Sequence, residues 1–115
     1  MHVKSDSLLQ DVNPVMLIST TIKESAFNVN FLTYIALPDG LITIEDSAFR
    51  DNRLTTVELP MGLKSIGKKA FLANQLTTIN LPPELTFIGE GAFSSNSNLA
   101  NFVLPKWTTA KSLIR

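Results

Sequence analysis

The chain of 115 residues contains no cysteine, and only one histidine, one tryptophan and one tyrosine. Without thiols there are no disulfide staples and no thiolate metal sites, although the compartment stays open. The single histidine, His2, lies at the very start of the chain. It reads as part of a frayed end, since one imidazole cannot build a transition-metal site. No sign of charge dominates either: ten basic side chains face ten acidic ones, with no long run of one kind. A nucleic-acid binder shows a basic stripe, and a membrane-surface segment shows a basic amphipathic helix. Neither is present, so neither nucleic acid nor membrane insertion is expected. No uncharged stretch is long and apolar enough to span a bilayer. The opening "MHVKSDSLLQ" lacks the apolar core of a secretory signal. The expectation is a cytoplasmic protein if Met1 is the native start, or otherwise a mature or excised piece of a longer chain.

What the chain does have is 44% apolar residues, typical of a packed single domain, and a pattern that repeats. "LTTVELPMGLKSIGKKAFLANQ" is followed at once by "LTTINLPPELTFIGEGAFSSNSN". Four columns recur every 22 residues: Ile22, Ile44, Ile66, Ile88; Ala26, Ala48, Ala70, Ala92; Phe27, Phe49, Phe71, Phe93; and Asn30, Asn52, Asn74, Asn96. A leucine column, Leu32, Leu54, Leu76 and Leu99, takes a last step of 23 through the extra residue in "SNSNL". Self-similarity at a period of roughly 20 to 50 residues is the signature of a solenoid.

Each unit has two parts. The first reads L-x-x-I/V-x-L-P, as in Leu54, Val57, Leu59 and Pro60. Its last positions alternate at period two and are rich in threonine and β-branched residues, which predicts a short strand ended by proline. The second reads L-x-x-I-G-x-x-A-F, as in "LKSIGKKAF" and "LTFIGEGAF", with "LITIEDSAF" carrying glutamate in the glycine place. This predicts a short extended piece, then about one helical turn holding the Ala-Phe pair. One unit orders 22 residues around only seven apolar side chains. Their burial does not offset that backbone entropy, so units must stack. The core is then the phenylalanine file Phe27, Phe49, Phe71 and Phe93. The asparagines Asn30, Asn52, Asn74 and Asn96 are expected to form a ladder, because an amide can satisfy backbone groups of its own turn and of the next.

The ends depart from the pattern. Residues 1–15 read as a degenerate cap, 16–105 as repeats and 106–115 as a cap or cut end, all within one domain. Trp107 reads as a lid over the last repeat, or else as a remnant exposed by truncation. Poorly capped ends leave strand edges open to end-to-end self-association.

The unit "LTTVELPMGLKSIGKKAFLAN" resembles the BspA-type (Treponema pallidum-type) leucine-rich repeat family. That family's pattern is L-x-x-I-x-L-P, then apolar-x-x-I-G, then A-F followed by a cysteine. Here asparagine holds the cysteine position in every repeat, and most units are one residue short of the usual length. The resemblance implies a leucine-rich-repeat solenoid of the α/β class: a right-handed superhelix of short parallel strands and short helical turns. It also implies a bacterial or protist surface protein that adheres to host proteins, matrix or other cells. No catalytic or binding residue of the family is fixed by motif.

Little chemistry is visible. "GEGAF" holds a Gly-x-Gly without a third glycine and reads as a turn. Glu45 and Asp46 sit at the start of the predicted helical turn, where negative charge is structurally favourable. Ser94, Ser95 and Ser97 have no base to activate them. No enzyme and no cofactor are expected. What remains is the outward face of the predicted strands, with one column of Tyr34, Thr56, Thr78 and Asn101 and another of Ala36, Glu58, Asn80 and Val103. Tyr34, Thr56, Glu58, Thr78, Asn80 and Asn101 are the candidate contacts for a protein or glycan. Tyr34 is the anchor, because aromatics are enriched among binding hot spots. The other readings are a structural spacer without a ligand and a cytoplasmic interaction scaffold.

Overall fold

The computed structural model describes residues 20–100 and Trp107. Successive coils stack so that each residue lies beside its equivalent one repeat later. Four two-residue strands form one parallel sheet in chain order: β1 (Thr21–Ile22), β2 (Thr43–Ile44), β3 (Ser65–Ile66) and β4 (Phe87–Ile88). The register pairs Ile22 with Ile44, Ile44 with Ile66 and Ile66 with Ile88. Their isoleucines point inward and are buried.

The sheet therefore sits in the second part of each unit. The segments Leu32–Pro38, Leu54–Pro60 and Leu76–Pro82, predicted as the strands, carry no ladder, and only Thr78 makes an isolated bridge. The reason is visible in their burial. Leu32 and Ile35 both face the core with Thr33 and Tyr34 exposed between them, so the chain bends rather than alternating cleanly. Isolated bonds such as Arg53 N–H to the Leu32 carbonyl (2.7 Å) and Thr77 N–H to the Thr55 carbonyl (3.1 Å) hold these segments coil to coil.

The Ala-Phe segment differs from expectation as well. No helix occurs among the described residues. A helix directs its N–H groups back along its own axis. Here they go to the next coil: Phe27 donates to the Ala48 carbonyl, Phe49 to Ala70 and Phe71 to Ala92, each at 2.8 Å. Residues two before and two after each phenylalanine donate in the same direction, as in Ser25 to Asp46 and Val29 to Arg50. All these bonds run toward the C-terminal neighbour, so this flank is a one-way ladder.

That geometry requires left-handed residues. Ser25, Ser47, Lys69 and Gly91 have positive φ at equivalent positions. Each is the third residue of a turn closed by bonds such as Ala48 N–H to the Glu45 carbonyl and Ala92 N–H to the Gly89 carbonyl. This is the type II turn, which favours glycine at that place, and only Gly91 meets the preference. Gly67 and Gly89 serve a different need. A Cβ on Gly67 would run into Asp46, and one on Gly89 into the Lys68 backbone, so both let neighbouring coils approach closely.

The core is one continuous cluster of the repeated apolar columns, including Leu41, Leu63 and Leu85, and Leu54 and Leu76. The phenylalanine rings stack at 5.3 to 5.6 Å between centroids, with planes within 12° of parallel. Such offset pairs add about 0.5–1.5 kcal/mol each beyond the area they bury.

The asparagines supply the polar counterpart. The Asn52 amide donates to the carbonyls of Phe27 and Phe49, both at 2.9 Å. Its oxygen accepts from the N–H groups of Asn30 (3.1 Å) and Leu32 (2.9 Å). Asn74 spans Phe49 and Phe71 in the same way and accepts from Leu54. Asn96 spans Phe71 and Phe93 and accepts from Leu76. Asn30, in the first described coil, is exposed, with its amide on the Asn28 carbonyl. Among the described residues no buried side-chain nitrogen or oxygen lacks a partner. No helix of the described residues is long and apolar enough to cross a membrane.

Candidate functional site

Because the inward positions are filled, any contact with a ligand falls on the flanks. Tyr34, Ala36, Thr56, Glu58 and Asn80 are exposed, and Thr78 is partly so. They lie on the bent extended segments, not on the sheet. This corrects the expected setting: the two columns do not form the face of a hydrogen-bonded sheet. Asn101 and Val103 fall outside the described residues, as does His2. Trp107 is 51% exposed, and the coil it was expected to cover lies outside the described residues.

The outer face of the true sheet carries a column that the sequence reading passed over: Thr21, Thr43, Ser65 and Phe87. Three small hydroxyl residues are followed by an aromatic that stands 52% exposed. That departure from its own column was the available signal. A groove of about 270 Å³ opens here, lined chiefly by Glu24, Thr43, Glu45, Asp46, Ser65 and Phe87. Its rim is acidic and one wall is aromatic.

Two of these carboxylates already hold the coils together. Glu45 Oε1 accepts the Glu24 N–H at 3.0 Å, and Asp46 Oδ1 accepts the Lys68 N–H at 2.8 Å. Each spans a coil boundary and occupies one oxygen. No histidine lies among the described residues. The remaining candidates also have structural places. Gly89 and Gly91 of "GEGAF" open and shape the type II turn, and Ser94 is buried beside Phe93 in the turn that follows. No group of three or more metal-ligating side chains occurs among the described residues.

A third surface belongs to the first described coil. Val29, Phe31 and Tyr34 are all more than half exposed, and the Arg53 guanidinium lies 4.8 Å over the Phe31 ring.

Comparison with known proteins agrees with this architecture. The model of the BspA type leucine rich repeat region matches residues 20–112 in six copies. A leucine-rich repeat protein from Bacteroides ovatus shares 33% identity, with a TM-score of 0.74 over 77% of this chain and 24% of its own. The leucine-rich repeat protein of T. pallidum also shares 33% identity, with a TM-score of 0.68 over 74% of this chain and 41% of its own. The chain thus spans about a quarter of the first relative and two-fifths of the second. No curated protein matches it.

Proposed function

The chain belongs to the BspA-type leucine-rich repeat family, and from that premise we propose that it is a non-catalytic binding module for a protein or glycan, carried by a surface-displayed, adhesin-like protein. The observation behind this reading is the division of labour between positions. Inward columns repeat the same residues coil after coil and are closed by packing and amide bonds. Outward columns vary more: Ala36, Glu58 and Asn80 differ at every coil of one, and in the other Tyr34 gives way to Thr56 and Thr78. Recognition needs a surface whose chemistry varies from place to place, and a rigid stack presents such residues at fixed spacing. A face only a few coils wide, with coils stacked at the ~4.8 Å spacing of paired strands, suits a modest contact that repetition along a longer chain would strengthen.

The test is direct. The immobilised chain is screened against matrix proteins and a glycan array. The triple variant Tyr34→Ala, Thr56→Ala, Glu58→Ala is then measured against each binder found. The expected result is a loss of about tenfold or more, the scale of one hot-spot residue. Recovery of no binder at all would favour a spacer, and undiminished binding by the variant would put the contact on another flank.

A further inference from the structure

Phe31 breaks the backbone pattern of its own repeat. Left-handed φ recurs at Val29, Asp51, Ala73 and Ser95, and again at Ser25, Ser47, Lys69 and Gly91, so those positions follow from the coil geometry. Phe31 has φ 58, whereas its equivalents Arg53 and Gln75 do not share a positive value. A bulky side chain in this region is strained and persists only where something holds it. The ring does not gain burial in return, since it is 59% exposed. Its visible partner is the Arg53 guanidinium stacked at 4.8 Å, a cation–π contact that is weak at an exposed site.

Arg53 is the second half of the observation. Among the described residues the ion pairs are Arg50 with Asp51 and Lys64 with Glu84. Arg53 makes none of these, so its fork of donors lies against the ring and is unmatched by any carboxylate among the described residues. Beside it Val29, also left-handed and β-branched, is 55% exposed. The next coils carry Asp51 and Ala73 in the valine place, and Arg53 and Gln75 in the phenylalanine place. The apolar and cationic combination is therefore confined to one step of the stack.

We infer that Val29, Phe31 and Arg53 form a docking site for an acidic–aliphatic peptide segment of a partner protein. The carboxylate of an Asp or Glu side chain pairs with the Arg53 guanidinium, and an adjacent aliphatic side chain covers Val29 and the ring edge of Phe31. The charge complementarity comes from the unmatched cation. A peptide is favoured over a sugar acid because the guanidinium already covers a face of Phe31 that a sugar ring would need for stacking. This assignment rests on the binding-module reading and names a partner and a place within it.

The experiment selects binders to the full chain from a phage-displayed random 12-residue peptide library, with a sialylated and uronic-acid glycan array alongside. The expected result is enrichment of peptides with Asp or Glu next to Leu, Ile, Val or Met. Their affinity should fall about tenfold or more in Arg53→Gln, as for a hydrogen bond to a charged group, and should weaken with added salt. Phe31→Asn should lower it too, because asparagine tolerates the left-handed backbone while removing the ring. Circular dichroism confirms that both variants fold. Selection of no acidic peptides overturns the inference, as does glycan binding that alone depends on Arg53. Peptides indifferent to Arg53 and Phe31 but lost in Thr56→Ala, Glu58→Ala also overturn it, and in that case the broader binding-module reading stands.

Discussion

The first described coil and the coils behind it carry the same residues in the same columns, and their surroundings differ. Phe49 and Phe71 are fully buried with a ring stacked on each side, whereas Phe27 has only Phe49 among the described residues and is partly buried. Ala48 and Ala70 are buried, and Ala26 is exposed. Asn52 and Asn74 each join carbonyls from two coils, and Asn30 bonds only within its own turn. The energetic weight of a consensus residue in a solenoid therefore depends on having a neighbour on both sides, which is the nearest-neighbour logic of stacked repeats.

The phenylalanine file gives the largest contrast. Phe71→Ala should cost about 3–5 kcal/mol, the range for deleting an enclosed aromatic side chain. Phe27→Ala should cost less, because among the described residues its ring is stacked on one side only and is less completely buried. Denaturant titration of both variants measures the difference, and equal losses would mean that the stack does not distinguish its end from its middle.

The asparagines sharpen the comparison at an intermediate scale. Asn74→Ala leaves the buried Leu54 N–H unmet and removes one of the two amide donors on each of the Phe49 and Phe71 carbonyls, which keep Asn52 and Asn96, at a cost of about 1–3 kcal/mol. Asn30→Ala should stay within about 0.5 kcal/mol, as surface changes do. Thermal unfolding gives the totals, and hydrogen exchange at the Leu54 amide should accelerate only in the first variant. Unaltered protection there would take the amide column out of the stability account.

The smallest expected effect has the opposite sign. Val29 holds a left-handed conformation that costs a branched residue about 1–2 kcal/mol, of which glycine returns part after its own entropy of roughly 0.5–1 kcal/mol. Val29→Gly should therefore raise stability by up to about 1 kcal/mol, while Asp51→Gly at the equivalent place should change little. A gain in melting temperature together with a loss of peptide affinity would mark Val29 as kept for contact. A fall in melting temperature would show that its side chain packs to advantage where it is.

Much of this was readable from the residues. Unbroken columns at a spacing of 22 identify a stack, and the inward residues Ile44, Ile66, Phe49 and Phe71 follow from it. The amides of Asn52 and Asn74 could be assigned to turns because few other side chains offer both donors and an acceptor. Other features were not readable. The Leu54–Pro60 segment has the period-two alternation of a strand yet forms no ladder, since pairing depends on where both backbone groups of the next coil arrive. Thr43–Ile44 does pair, and two residues are too short to show any period. The Ala-Phe segment does not form the expected helical turn, because its N–H groups reach carbonyls of the neighbouring coil, which no single repeat displays. The groove beside Phe87 and the stack of Arg53 on Phe31 join residues roughly one repeat or more apart.

By itself, then, the sequence determined that the chain is a repeating stack with a phenylalanine file and an amide column, because periodic side-chain chemistry is written along one dimension. Tertiary structure alone decided which segment becomes the sheet, that the turns are left-handed rather than helical, and which outward side chains meet. Those outcomes depend on hydrogen bonds and contacts between coils, whose directions exist only once one coil lies against the next.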